Sequence, residues 1–118
     1  MTKSFGAYVR GRREARRAHD PRFSLRQVAE RIGVEPSYLS KVERGLEAPP
    51  SEGKIVALAH VLGEDPDVLL AAAGKVSSDL QHIIRQRPRL FGELLRQLRA
   101  MPDRAVERMV REVRDGDW

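Results

Sequence analysis

The chain has 118 residues, no cysteine, and 22 lysines and arginines against 17 aspartates and glutamates. That length suits one domain with a modest core, or a small domain plus a helical extension, and argues against two full domains. Lack of cysteine removes disulfides, thiolate metal sites and thiol catalysis, and no apolar run near twenty residues or charged-then-apolar leader at Met1 suggests a membrane span or secretory signal, so a cytoplasmic protein is expected.

The first helix is predicted from about Ser4 to Ala18, with Phe5, Tyr8, Val9 and Ala15 facing inward and Arg10, Arg12, Arg16 and Arg17 outward. A turn over His19 to Phe23 follows, then Ser24 as the cap of a second helix from Leu25 to about Ile32. A third helix runs from Pro36 to about Arg44 and stops at Gly45, ahead of the Pro49-Pro50 breaker. Ser51 caps a fourth helix over about Glu52 to Leu62, whose Ile55, Leu58, Ala59 and Leu62 make a core-facing stripe. Asp65 caps a short fifth helix that Pro66 begins and Gly74 ends. Beyond Gly74, Ser77 or Ser78 caps a helix with Leu80, Ile83 and Ile84 on one side. Pro88 begins another carrying Leu90, Phe91, Leu94, Leu95 and Leu98, and Pro102 opens a last one with Val106, Met109, Val110 and Val113.

The stretch Leu25 to Gly45 has the spacing of a helix-turn-helix. Ala29 falls where two helices cross closely, and Gly33 ends the first of them where a positive φ is expected. Val28, Ile32, Val34, Leu39 and Val42 supply the buried side, Pro36 fits the first turn of the second helix, and Ser37, Tyr38, Lys41 and Arg44 face outward. Residues 1–48 hold eleven Lys/Arg against six Asp/Glu, whereas residues 49–118 hold eleven of each, so the whole excess of +5 lies with this motif. A segment that meets phosphates would have this balance; so would a solvated basic face.

From about Phe5 to Gly74 the chain resembles the Cro/repressor (XRE) family of helix-turn-helix transcriptional regulators. The resemblance rests on Arg13 in the first helix, Ala29 and Gly33, the run SYLSKVERG, the Pro50-Ser51 pair and the LAHVLG stretch. It implies an all-α fold: a five-helix, lambda-repressor-like DNA-binding domain over residues 1–74, with residues 75–118 as a helical dimerisation or regulatory extension. It also implies that the third helix enters the major groove of double-stranded DNA while the first turn of the second lies near a phosphate.

Carried onto this chain, Ser37 and Lys41 match base-contacting positions, and Lys41 donates either to guanine O6 or N7 or to phosphate. Tyr38 either touches a thymine methyl and a phosphate or closes the motif as a partly buried aromatic. Glu35 accepts from cytosine N4 or excludes wrong sequences by its charge. Arg10, Arg26, Gln27 and Arg44 are the candidate phosphate contacts. Arg13 and Glu43 match a salt bridge that orients the reading helix. Two departures stand out: Leu25 replaces a glutamine that bonds phosphate in many members, and the His19 to Phe23 loop is longer than the common tight turn, with Arg22 either on the DNA backbone or solvated.

The apolar faces after Gly74 suit a twin or the chain's own fifth helix, with Leu90, Phe91, Leu94, Leu95, Leu98, Met109 and Val113 as the seam of a homodimer. A dimeric repressor on a pseudo-palindromic operator follows, with half-sites roughly 34 Å apart. Some relatives in this family are controlled by a protease or antirepressor and others are antitoxins that grip a toxin, which leaves an alternative open: a protein-interaction or antitoxin-type role in which the C-terminal helices grip another protein. No enzyme, cofactor or metal is expected, because His19, His60 and His82 are isolated and no glycine-rich phosphate loop precedes a helix.

Overall fold

A computed structural model describes residues 4–118; Met1 to Lys3, the start of the chain where no leader is expected, lie outside the described residues. The elements are α1 (Phe5–Arg17), a 3₁₀ turn (Pro21–Phe23), α2 (Leu25–Ile32), α3 (Pro36–Glu43), α4 (Glu52–Leu62), α5 (Pro66–Ala72), α6 (Ser78–Gln86), α7 (Pro88–Leu98) and α8 (Asp103–Asp115). Among the described residues there is no strand, and no helix is long and apolar enough to cross a membrane. The fold is the all-α arrangement of five helices followed by a helical extension. It divides into two compact units, one ending at Ser77 and the other spanning Ser78 to Trp118.

Local chemistry sets the helix ends of the first unit. Ser4 Oγ accepts from the Ala7 N–H at 3.2 Å, Ser24 Oγ from Gln27 at 3.3 Å and an Asp65 carboxylate oxygen from Asp67 at 2.8 Å, each taking up one of the donors a helix start leaves without a partner. Ser51 occupies the cap position of α4 but its hydroxyl makes no capping bond there. Gly33 ends α2 at φ 75°, where its N–H reaches Glu30 O at 3.1 Å and the next N–H, of Val34, reaches Ala29 O at 3.0 Å. This left-handed cap needs a glycine and turns the chain sharply into α3.

The core of this unit comes from every one of its helices. Phe5 and Val9 of α1, Val28, Ala29 and Ile32 of α2, Leu39 and Val42 of α3, Ile55, Leu58, Ala59 and Leu62 of α4, and Leu69 and Leu70 of α5 are buried together with Phe23 of the 3₁₀ turn. Each large apolar side chain removed from water contributes about 1.5–3 kcal/mol. Ala15, expected to face inward, is exposed, because the helical turn that contains it places Arg13 in the core instead. Val34 is half-buried at the rim, packed against that core.

Side chains tie the loops down. Lys54 Nζ donates to Ile32 O at 2.9 Å and Gly33 O at 3.3 Å, so α4 holds the carboxyl end of α2. Lys75 Nζ donates to Pro50 O at 2.8 Å. Arg22 remains exposed, and its guanidinium pairs with Asp20 of the same loop at 2.8 Å. That hydrogen bond, with the Arg22 N–H on the same carboxylate, holds Asp20 below the usual carboxylate range.

The second unit has a different character: no residue of α6, α7 or α8 is buried. Trp118, at 91% exposure, folds back only far enough for its indole N–H to donate to Val113 O at 2.9 Å.

Gly11 lies inside α1, and a Cβ added there meets nothing within 4 Å. Gly11→Ala therefore removes the backbone-entropy cost of a mid-helix glycine without a clash and should stabilise the protein by about 0.5–1 kcal/mol. A urea titration showing no gain, or a loss, would contradict this placement of α1.

Candidate nucleic-acid interface

The two faces of α3 follow from its period of 3.6 residues. Leu39, Val42 and Glu43 are buried, while Ser37, Lys41 and Arg44 fall on the opposite side at i, i+4 and i+7 and are exposed. Glu35, at the N-cap position, is exposed and makes no side-chain capping bond. Tyr38 is half-buried and its ring packs against the core. At the far end α3 closes at Glu43 with Arg44 as its C-cap, and Gly45 then adopts φ 76° with its N–H reaching Val42 O at 3.1 Å.

The four cationic or amide candidates around this helix differ in how they are held. Arg26 and Gln27 are exposed in the first turn of α2, whose uncompensated N–H groups give that end a partial positive charge. Arg44 Nε donates to Ser40 O of its own helix at 3.3 Å. Arg10 lies 3.7 Å from Glu14 one turn along α1, a loose and exposed pair. Arg10 and Arg44, with Leu25 and Ser40, line a groove of about 190 Å³ whose floor includes Arg13 and Glu43. The groove thus brings together the start of α2, the exposed side of α3 and two arginines, all chemically suited to an anion at its mouth.

Arg13 and Glu43 form the bridge expected of them. Nε donates to Oε2 at 2.7 Å and Nη2 to Oε1 at 2.8 Å, and both side chains are at least 96% removed from water. Nη1 also donates to Phe23 O at 3.3 Å, so one guanidinium joins α1, the 3₁₀ turn and α3. Hydrogen bonding to Glu43 raises the Arg13 pKa further against the opposing effect of burial, and the group stays charged. Ala29 is fully buried, as close packing of α2 requires.

Three contributions escaped the sequence reading. Gly6 lies against the last turn of α3, where an added Cβ would stand 2.1 Å from Val42 O. Lys54 holds the turn between α2 and α3 from outside the motif. The guanidinium carbons of Arg16 and Arg31 lie 5.5 and 5.4 Å from the centre of the Phe23 ring. Both side chains remain exposed while their charge lies over that ring. A glycine early in an amphipathic helix was a signal for the first; the other two had none without coordinates.

In the second unit, the seam residues Leu90 (64% exposed), Leu94, Leu95 (61%) and Val113 stand open to solvent, while Phe91, Leu98 and Met109 are half-buried. Among the described residues, no group of three or more His, Cys, Asp or Glu converges to hold a metal.

A family model described as a helix-turn-helix domain matches residues 4–73, the segment from the cap of α1 to just past α5. Two uncharacterized HTH-type transcriptional regulators, from two strains of Mycobacterium tuberculosis, are each 44% identical over 69 residues, which is 58% of this chain and 45% of each relative. The chain thus matches about half the length of those curated relatives. A chain from a solved SinR protein/SinI protein complex is similar at 25% identity and a TM-score of 0.48, covering 80% of this chain and 94% of that one.

Removing one partner of the Arg13–Glu43 pair leaves the other charged and buried, so Arg13→Ala or Glu43→Ala should cost about 3–5 kcal/mol. Replacing both by apolar side chains of similar volume, as in Arg13→Met with Glu43→Leu, should recover most of that loss. Chemical denaturation checks both; single variants as stable as the parent would show that the bridge does not anchor α3.

Proposed function

The chain belongs to the helix-turn-helix domain family, and from that membership we propose that residues 1–74 bind double-stranded DNA sequence-specifically as part of a transcriptional regulator, with α3 in the major groove. The observation that carries this reading is the exposed row Ser37, Lys41 and Arg44 on a helix whose opposite face is locked into the core. A rigid helix that presents polar side chains at one-turn intervals matches the width of that groove.

In this reading Glu35, Ser37, Tyr38 and Lys41 meet base edges. Lys41 reads guanine O6 or N7, Ser37 serves either base partner, and Tyr38, half-buried, offers its ring edge to a thymine methyl. Arg10, Arg26, Gln27 and Arg44 meet phosphates on either side of the groove, where position rather than sequence is set. The location of the net charge within residues 1–48 supports this division.

Residues 75–118 serve as the dimerisation extension of a repressor that acts on a pseudo-palindromic operator. Support comes from the open apolar side chains of α7 and α8, with Leu90, Phe91, Leu94, Leu95, Leu98, Met109 and Val113 as the seam. Helices this short do not persist singly in water, and twofold pairing places two copies of α3 on successive turns of the duplex. The same faces accept the helices of a regulatory protein as readily, and measured self-association separates the two.

Selection of bound duplexes from a random pool tests the base assignments. Lys41→Ala should relax preference at one base position, whereas Arg44→Ala should weaken all duplexes alike and lower the salt slope by about one. If Lys41→Ala loses affinity uniformly, that residue belongs to the phosphate backbone.

Leu90→Glu with Leu95→Glu should convert a dimer into a monomer by sedimentation and weaken binding to paired half-sites more than to a single one. A parent protein that sediments as a monomer at every concentration used for DNA binding would sink the seam.

A further inference from the structure

Gly6 packs its α-carbon onto the carboxyl end of α3. A Cβ built there would fall 2.1 Å from Val42 O, 2.7 Å from Glu43 O and 2.9 Å from the Glu43 carbonyl carbon. All three atoms belong to backbone, so no change of rotamer relieves the overlap and one of the helices must move. The crowding is local to this position: five residues further along α1, Gly11 has open space around its α-carbon.

The other end of α3 is held independently. The turn that precedes Pro36 is fixed by Lys54 Nζ on Ile32 O and Gly33 O. The helix is therefore seated at its start through α2 and α4, and at its finish through Gly6, with Arg13–Glu43 setting its direction. A push at Gly6 acts on it as on a lever, with the pivot near Pro36.

Resting on the DNA-binding reading of α3, we propose that Gly6 is a positioning residue that sets how deeply Lys41 and Arg44 enter the groove. The helix is only about 12 Å long. Bringing a Cβ from 2.1 Å to ordinary contact at 3.4 Å displaces its far end by roughly 1.3 Å. Recognition geometry tolerates only about 0.5 Å. Glu35 and Ser37, next to the pivot, move little, whereas Lys41 and Arg44, on the last turn, take the full displacement.

A double-mutant cycle tests this in the full chain carrying Gly11→Ala, which adds stability without touching the interface. Affinity for the duplex chosen by the parent protein in pool selection is measured for that background, for Gly6→Ala, for Lys41→Ala and for both together, each shown folded by its thermal transition. Gly6→Ala should weaken binding about tenfold, and Lys41→Ala, itself costing about tenfold, should cost less than threefold once Gly6 is replaced. A role in stability alone would leave the two losses multiplicative.

Multiplicative losses, or unchanged affinity in Gly6→Ala, overturn the proposal while the DNA-binding reading stands. So does a Gly6→Ala variant that fails to fold in the Gly11→Ala background, since Gly6 would then determine folding rather than position. If the parent protein selects no duplex at all, the DNA-binding reading fails first and this proposal falls with it.

Discussion

Two opposite charges withdrawn almost wholly from water, on Arg13 and Glu43, set the direction of α3, and the first unit is arranged around that fact. Desolvating both is expensive, and apolar side chains of the same volume could supply comparable stability. Two parallel N–H···O bonds of 2.7 and 2.8 Å differ in what they forbid: rotation of α3 on α1 breaks both at once, whereas an apolar contact tolerates sliding. The third bond, to Phe23 O, extends the same restraint to the turn that launches α2.

The exposed side of α3 depends on this seating and on where the other cations are engaged. Arg12 pairs with Glu64, Arg22 with Asp20, and Arg16 and Arg31 lie against Phe23. Arg26 and Lys41 have no carboxylate partner among the described residues. With Arg13, five of the eleven basic residues of residues 1–48 thus make such contacts within the fold, so the count of charges overstates the number left wholly to an anion. What distinguishes α3 is the regular interval of Ser37, Lys41 and Arg44 along one face, not the density of positive charge.

Much of this was legible in the sequence because helix ends are governed by short-range chemistry. Ser24, Gly33, Pro36, Gly45 and Asp65 act through bonds and torsions spanning a few residues, and those ends fell where expected. The core stripe of α4 followed from period alone. Contacts between distant segments were less accessible. Apolar character predicts Ala15 inward, but α1 turns Arg13 into the core, where it pairs with Glu43, thirty residues away. Gly6 and Lys54 matter through backbone atoms of other helices; a glycine early in α1 marks a close approach without naming its partner, and nothing in its own segment marks Lys54. The Arg13–Glu43 pairing was read only through a family resemblance, since nothing local to either residue announces the other.

The two units differ in what their helices lack. The first closes its core with contributions from five helices and a 3₁₀ turn, so α3 has a firm seat before any ligand arrives. In the second, α6, α7 and α8 bury nothing fully, although Leu90, Leu94 and Leu95 form a stripe along α7. Helices of nine to thirteen residues gain their order from a facing layer rather than from propensity. In the proposed dimer that layer is the twin, so ordering of the extension and pairing of the chains become a single, concentration-dependent equilibrium. The rigid half would then fix which sequence is read, and the conditional half would fix at what protein concentration both half-sites are occupied.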